Sequence, residues 1–200
     1  MQRLRVTKTK KSVVKKKPKP YAKALYPGQK VQVDVKYVPS ECVVGNKNYY
    51  QFTAVDEYSR WTYRQMYDEK STYCAKQFLD ELIANAPFTI KMIQTDNGTE
   101  FTNALIVTTA KHKTLFEQAL IDLGIEYKRI RIATPRHNGK VERQHRTDQM
   151  RFYGFLKMFS LEDGRSQIKT YNKRSNGYIK TCLDMKSPNQ VLGEFERNFL

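Results

Sequence analysis

Residues 31–38 read VQVDVKYV, in which Val31, Val33, Val35 and Tyr37 alternate with Gln32, Asp34 and Lys36. Alternation with period two predicts a strand with one apolar face, and it leaves the carboxylate of Asp34 in mid-strand among valines. A Gly45-Asn46 turn signal follows. Two stretches rich in aromatic and β-branched residues come next, Tyr49 to Val55 and Trp61 to Tyr67, joined by the short link Glu57-Tyr58-Ser59-Arg60. Three strands with short links predict an antiparallel meander. The period then lengthens: Ala75, Phe78, Leu79, Leu82 and Ile83 recur at helical spacing, with Ser71 as N-cap and Pro87 as the stop. FTIKMIQTD (88–96) predicts a fourth strand that runs into Asp96-Asn97-Gly98. Thr114 to Glu117 forms a capping box, and Gly124 ends the helix behind it. Ile125 to Ile132 predicts a fifth strand, and a long helix is expected from Asn138 to Phe159. This order predicts an α/β fold with a mixed five-stranded sheet, three antiparallel strands then parallel strands, flanked by helices.

The 200 residues carry 36 Lys and Arg against 20 Asp and Glu, a formal net charge of +16. Such a balance favours a polyanionic partner. No apolar run approaches the roughly 18–20 residues of a membrane span, so no membrane partner is expected. With a basic start, KKSVVKKKPKP in place of an apolar stretch, no secretory signal is expected. Three scattered cysteines and three histidines give neither a disulfide framework nor a zinc site, and a cytoplasmic setting is expected. Residues 1–33 hold eleven Lys and Arg and no acid before Asp34. Residues 1–29 are therefore expected to be a basic linker or tail that serves as a solvated spacer, a DNA-tracking arm, or both. A second basic cluster lies between Lys128 and Arg151, with eight Lys and Arg and only Glu142 and Asp148 as acids.

Three acids stand out by position. Asp34 is in mid-strand, Asp96 ends an apolar strand, and Glu142 lies near the start of the basic helix. Ligands of α/β sheets gather outside the carboxyl ends of strands. Hard divalent cations take carboxylate oxygens, and paired metals clamp the attacking and leaving oxygens of a phosphoryl displacement. A basic chain with clustered acids thus points to metal-dependent phosphodiester chemistry on nucleic acid. Each acid also has an ordinary structural role open to it. Asp34 fits a polar strand face, Asp96 fits a turn, and Glu142 fits a surface pair with Arg146 at i+4. At 100° per residue, Val141, Phe152, Phe155, Leu156 and Phe159 share one side of the long helix, Glu142 and His145 lie at its edge, and Lys140, Arg143 and Arg151 lie opposite.

Gln94 to Phe101 (QTDNGTEF) resembles the second-aspartate motif of the retroviral-integrase-like (DDE) transposases. Thr134 to Arg146 (TPRHNGKVERQHR) resembles their glutamate motif. Val33-Asp34-Val35 and Tyr50 to Arg60 resemble their first-aspartate strand and hairpin, and Tyr171-Asn172 with Lys186 to Asn189 resembles the closing segment. The match spans about residues 28–192 and is most similar to bacterial insertion-sequence transposases. The resemblance implies an RNase H-like catalytic core over residues 30–160, with a C-terminal helical extension over 161–200. It implies a triad of Asp34, Asp96 and Glu142 that binds two Mg²⁺ or Mn²⁺ ions, with Asn138, Lys140, Arg143 and Arg146 on DNA. The implied activity is nicking at element ends and attack of a 3′-hydroxyl on target DNA, by a homo-oligomer on DNA at the bacterial nucleoid. The alternative is a truncated, inactive remnant that only binds DNA. A basic RNA-binding protein needs no acids at strand ends, and its aromatic-basic motifs are missing here. In two respects the chain departs from the family. The 45 residues between Asp96 and Glu142 exceed the family's usual spacing, with the excess expected in residues 103–113 (NALIVTTAKHK). The helix-turn-helix region that normally reads element ends is expected upstream of the linker.

Overall fold

The computed structural model describes residues 23–105, 112–131 and 135–199. Its centre is a five-stranded sheet: β1 (Val31–Tyr37), β2 (Tyr50–Asp56), β3 (Thr62–Tyr67), β4 (Met92–Thr95) and β5 (Glu126–Arg129). The spatial order is β3-β2-β1-β4-β5. The three meander strands pair antiparallel, whereas β1–β4 and β4–β5 are parallel. This is the mixed, RNase H-like sheet expected from the sequence.

Strand alternation gives the sheet two unlike faces. Val31, Val33, Phe52, Ala54 and Ile93 point to one side and form an apolar core with α1 (Thr72–Asn85) and α2 (Leu115–Asp122). The Ser71 hydroxyl caps α1 by accepting from the Cys74 N–H, and the Thr114–Glu117 capping box starts α2. The intervening positions, Gln32, Gln51, Thr53, Arg64 and Gln94, are polar and buried. They lie under α3 (Gly139–Asp148), a π-helical turn (Gln149–Tyr153) and α4 (Leu161–Asn176). α5 (Pro188–Phe199) ends the described chain.

Buried polar groups need partners, and those of the second face converge on Asp148. Its carboxylate accepts from Arg64 Nε at 2.8 Å and Nη2 at 3.0 Å, Gln51 Nε2 at 3.1 Å, Gln144 Nε2 at 2.9 Å and the Tyr171 hydroxyl at 3.1 Å. Neither side chain of the Arg64–Asp148 pair is exposed to solvent. This hub fixes the C-terminal end of α3 to β2, β3 and α4.

The ends of the 103–113 segment are stapled together. The Thr114 hydroxyl donates to Phe101 O at 2.8 Å, and the Thr102 hydroxyl to Glu117 Oε1 at 2.7 Å. Residues 106–111 of that segment and residues 1–22 of the basic stretch lie outside the described residues. The folded part begins before residue 30. Gly28, at φ 79°, donates its N–H to Asp56 Oδ1 at 2.9 Å and accepts from the Lys91 N–H at 2.8 Å.

Three expected boundaries move. The helix expected to reach Phe159 ends at Tyr153. The turn widens over Gln149–Tyr153, and Met158 instead exchanges backbone hydrogen bonds with Cys42 O and Val44 N–H, both at 2.9 Å. Phe152 and Leu156 remain buried, but Phe155 and Phe159 are 86% and 71% exposed. The fourth strand is only Met92–Thr95; the Lys91 N–H before it donates to Gly28 O at 2.8 Å, while Lys91 O accepts from the Glu126 N–H at 3.0 Å. The fifth is Glu126–Arg129, a largely exposed edge strand.

Candidate functional site

The parallel register sets Gln32 opposite Gln94. Asp34, in the middle of β1, and Asp96, just past the carboxyl end of β4, each lie two residues beyond this pair, so the pairing brings them near one another. The two glutamines also hold the helix that carries Glu142. Gln32 Oε1 accepts from the backbone N–H groups of Lys140 at 3.1 Å and Val141 at 3.4 Å, and Gln94 Nε2 donates to His137 O at 2.7 Å. Asn138, at the N-cap of α3, makes no capping hydrogen bond with its side chain. Gln32 therefore meets part of the need of a helix start for acceptors. Strand β1 thus supplies both Asp34 and the anchor for α3.

Oδ1 of each aspartate accepts from a nearby backbone N–H at 2.9 Å, from Val35 for Asp34 and from Gly98 for Asp96. Burial raises the Asp34 pKa from 3.8 to about 7. The negative charge of Asp96 adds to it, the Val35 N–H opposes it, and Glu142 and Glu100 contribute further repulsion. Asp34 thus feels the charges of both other acids predicted from the sequence. Glu142 is half-buried and joins no ion pair among the described residues, so the surface pair with Arg146 is not formed.

Two further groups stand beside the acids. The His145 Nδ1 lies 3.7 Å from Asp34 Oδ2. Burial, helped by Lys36 and Arg64 against the pull of Asp148, lowers its pKa to about 4, so this contact is made by a neutral imidazole at ordinary pH. Glu100, 2% exposed, is paired through Oε1 with Lys70 at 3.1 Å, while Oε2 has no partner. A Cβ on Gly98 would stand 2.6 Å from the Glu100 carboxylate, so any larger residue there would have to displace that side chain. Glu100 lies inside the QTDNGTEF motif, but its burial against the site has no signature in spacing. His145 is legible only as an edge residue of α3.

Lys140 is paired with Glu57 at 3.0 Å, and Arg143 and Arg146 are exposed. Asn138 is 2% exposed. Its Nδ2 donates to Val33 O at 3.4 Å and its Oδ1 has no partner, so it lies beneath the basic surface.

The donor set fits hard divalent cations: carboxylate oxygens whose mutual repulsion an ion relieves, with an unpartnered Glu100 oxygen nearby. Among the described residues, no three His, Cys, Asp or Glu side chains already enclose an ion. No helix among them is long and apolar enough to cross a membrane.

The sheet is thus mixed, its two central parallel strands bring Asp34 and Asp96 near one another, and Glu142 lies on a basic helix packed against it. Residues 25–135 match the Integrase core domain family, and the chain belongs to that family. It is 31% identical over 155 residues to "Putative integrase ORF3" of Spiroplasma virus SpV1-C74, covering 74% of this chain and 41% of that protein. The chain thus spans about two fifths of that relative. Among solved structures, the simian T-cell lymphotropic virus intasome superposes with a TM-score of 0.62 at 18% identity, over 86% of this chain and 56% of that one. The catalytic core domain of BIV integrase gives 0.59 at 19% identity, over 86% and 97%. The HTLV-2 integrase catalytic core in complex with magnesium gives 0.59 at 16%, over 84% and 99%. At these identities the likeness is one of fold.

Proposed function

We propose that this chain is the catalytic part of a DNA transposase or integrase that nicks DNA and transfers a 3′-hydroxyl end to target DNA. The observation that carries the reading is Asp34. It is a half-buried carboxylate that, like Asp96, lies two residues beyond the Gln32–Gln94 pair of the parallel register, and it is repelled by Asp96 and Glu142, in a chain of net charge +16. Asp34, Asp96 and Glu142 would hold two Mg²⁺ or Mn²⁺ ions through the oxygens that backbone N–H groups leave open. Such ions, when bound, lower the pKa of the attacking hydroxyl and neutralise charge on the phosphate. The chain's own part is positioning. Gln32 and Gln94 set the height of Glu142 against the strands, and the Asp148 hub holds the far end of its helix. Lys140, Arg143 and Arg146 contact phosphates, with Asn138 bracing them from below. Residues before the Gly28 turn act as a basic arm, that turn and residues 30–160 as the core and 161–200 as its helical extension. The magnesium complex of the HTLV-2 core and the intasome of the simian virus support the metal and the oligomeric assembly on DNA. The setting is a bacterial insertion sequence, acting at the nucleoid.

The test supplies the chain with Mn²⁺ and a supercoiled plasmid and follows nicking. Asp34→Asn, Asp96→Asn and Glu142→Gln each abolish nicking while retaining the circular dichroism and DNA binding of the wild type. If the wild type binds DNA but never nicks it, the chain is an inactive remnant and the proposal fails.

A further inference from the structure

Glu142 is half-buried and repels Asp34, and a face of α3 that does not include it lines a separate cleft of about 440 Å³. Gly139, Lys140, Arg143, Gln144, Thr147 and Arg151 form one wall, at the three- and four-residue spacing of a single helix face. Arg60 and the Tyr178–Cys182 segment form the other. Five of the lining residues are Lys or Arg and none is Asp or Glu.

The cations are held in place but poorly neutralised. Lys180 donates from Nζ to two uncharged acceptors, Gln144 Oε1 at 3.0 Å and Arg60 O at 3.4 Å. Burial, with Arg64 and Arg60 nearby, lowers its pKa to about 8. Arg151 stacks over the Tyr178 ring at 5.4 Å, and the Arg60 guanidinium is tied to Glu57 O. Among the described ion pairs only Lys140, through Glu57, meets a carboxylate. Lysine and arginine held at fixed positions with few counter-charges match the spaced negative charges of a phosphodiester chain.

We propose that this cleft is a second DNA-backbone site, which seats a stretch of duplex other than the one being cut. An α-helix with its side chains is about 10–12 Å across. A phosphate between Arg151 and Lys180 is thus separated by the body of α3 from one at the carboxylates. The inference rests on the DNA-acting reading above and adds Arg60, Arg151 and Lys180 to the residues that touch DNA.

The experiment measures affinity for a fluorescent random duplex by anisotropy between 50 and 200 mM salt. It compares the full wild-type chain, Arg151→Gln/Lys180→Gln, the exposed single variant Arg151→Gln, and the charge-matched control Lys91→Gln/Lys157→Gln. Each lost phosphate contact lowers the slope of log K against log salt by about 0.9. The double variant should flatten it by about 1.8, making the fall in affinity over that salt range about twelvefold smaller, and Arg151→Gln by about half that slope. The control should keep the wild-type slope. The inference is overturned if both cleft variants keep the wild-type slope, or if the control flattens it equally. Arg151→Gln decides the matter should the double variant lose its folded circular dichroism. A wild type that does not bind duplex at all would instead sink the DNA-acting reading itself.

Discussion

Replacing Asp34 by Asn should stabilise the metal-free protein while destroying its activity. Burial and the charges of Asp96, Glu142 and Glu100 hold the Asp34 pKa at about 7, against 3.8 for an ordinary aspartate. Because the folded-state value is raised, stability is complete below pH 3.8, where Asp34 is protonated in both states. It is lost as the pH rises to about 7. One pKa unit is worth about 1.36 kcal/mol, so the ionised carboxylate costs the fold at most roughly 4 kcal/mol at pH 8. Its side chain is 20% exposed, and solvent screening brings the expected figure to about 2–4 kcal/mol. Asparagine is neutral at every pH and keeps the volume. The difference between variant and wild type should therefore be near zero at pH 4 and reach that figure at pH 8, in urea denaturation with EDTA present. Adding Mn²⁺ should stabilise the wild type, because a ligand that binds only the folded state adds its binding energy to stability, and should do little for Asp34→Asn. If the variant is no more stable than the wild type at pH 8 in EDTA, burial and the neighbouring charges do not penalise the ionised Asp34 as argued.

Other outcomes follow from the anchors of α3. Asp148→Ala leaves the Arg64 guanidinium buried without a counter-charge and should cost about 3–5 kcal/mol in chemical denaturation; Arg64→Met/Asp148→Leu should cost less than the sum of its single changes. Arg64 and the hydrogen bonds to Asp148 hold its pKa below 3.8 despite burial. The stability from Asp148 is thus present at neutral pH and lost as the pH falls below about 4, which a Tm series from pH 6 to pH 2.5 would reveal. Gln32→Leu removes the acceptor for the Lys140 and Val141 N–H groups. It should cost about 1 kcal/mol, the usual worth of a helix cap, and lower the nicking rate more than DNA affinity. Deleting residues 1–22 removes nine Lys and Arg and should flatten the salt dependence of DNA binding; an unchanged slope would make the stretch a spacer only.

The meander, the two capped helices and the parallel pair were legible because each is written in local chemistry: alternation at Val31–Tyr37, hydroxyl caps at Ser71 and Thr114, and Gly124 as a stop. The neighbouring of Asp34 and Asp96 follows once their strands are taken as parallel partners, although the register itself depends on long-range pairing. The extent of the last long helix was misread because Phe155 and Phe159 continue the apolar stripe of Val141 and Phe152. Helical periodicity cannot register the pairing of Met158 with Cys42 and Val44, more than a hundred residues earlier in the chain. The Arg64–Asp148 hub was equally hidden. An arginine in a strand and an aspartate in a basic helix each look like surface residues until the fold sets them face to face. The same holds for Gln32, a plain polar alternate in VQVDVKYV that proves to hold the start of α3.

The hydroxyls of Thr102 and Thr114 close the 103–113 segment like a clasp on a purse string. Among the described residues, the ties that hold α3 against the strands of Asp34 and Asp96, through Gln32 and Gln94, lie outside that segment. The length of chain drawn through the clasp is therefore free to vary, since doubling a flexible loop costs only about 0.6 kcal/mol in closure entropy. A lineage can lengthen this excursion, or graft a foreign module into it, and still inherit the same catalytic distances. The interval of 45 residues between Asp96 and Glu142 thus need not alter the site's own geometry.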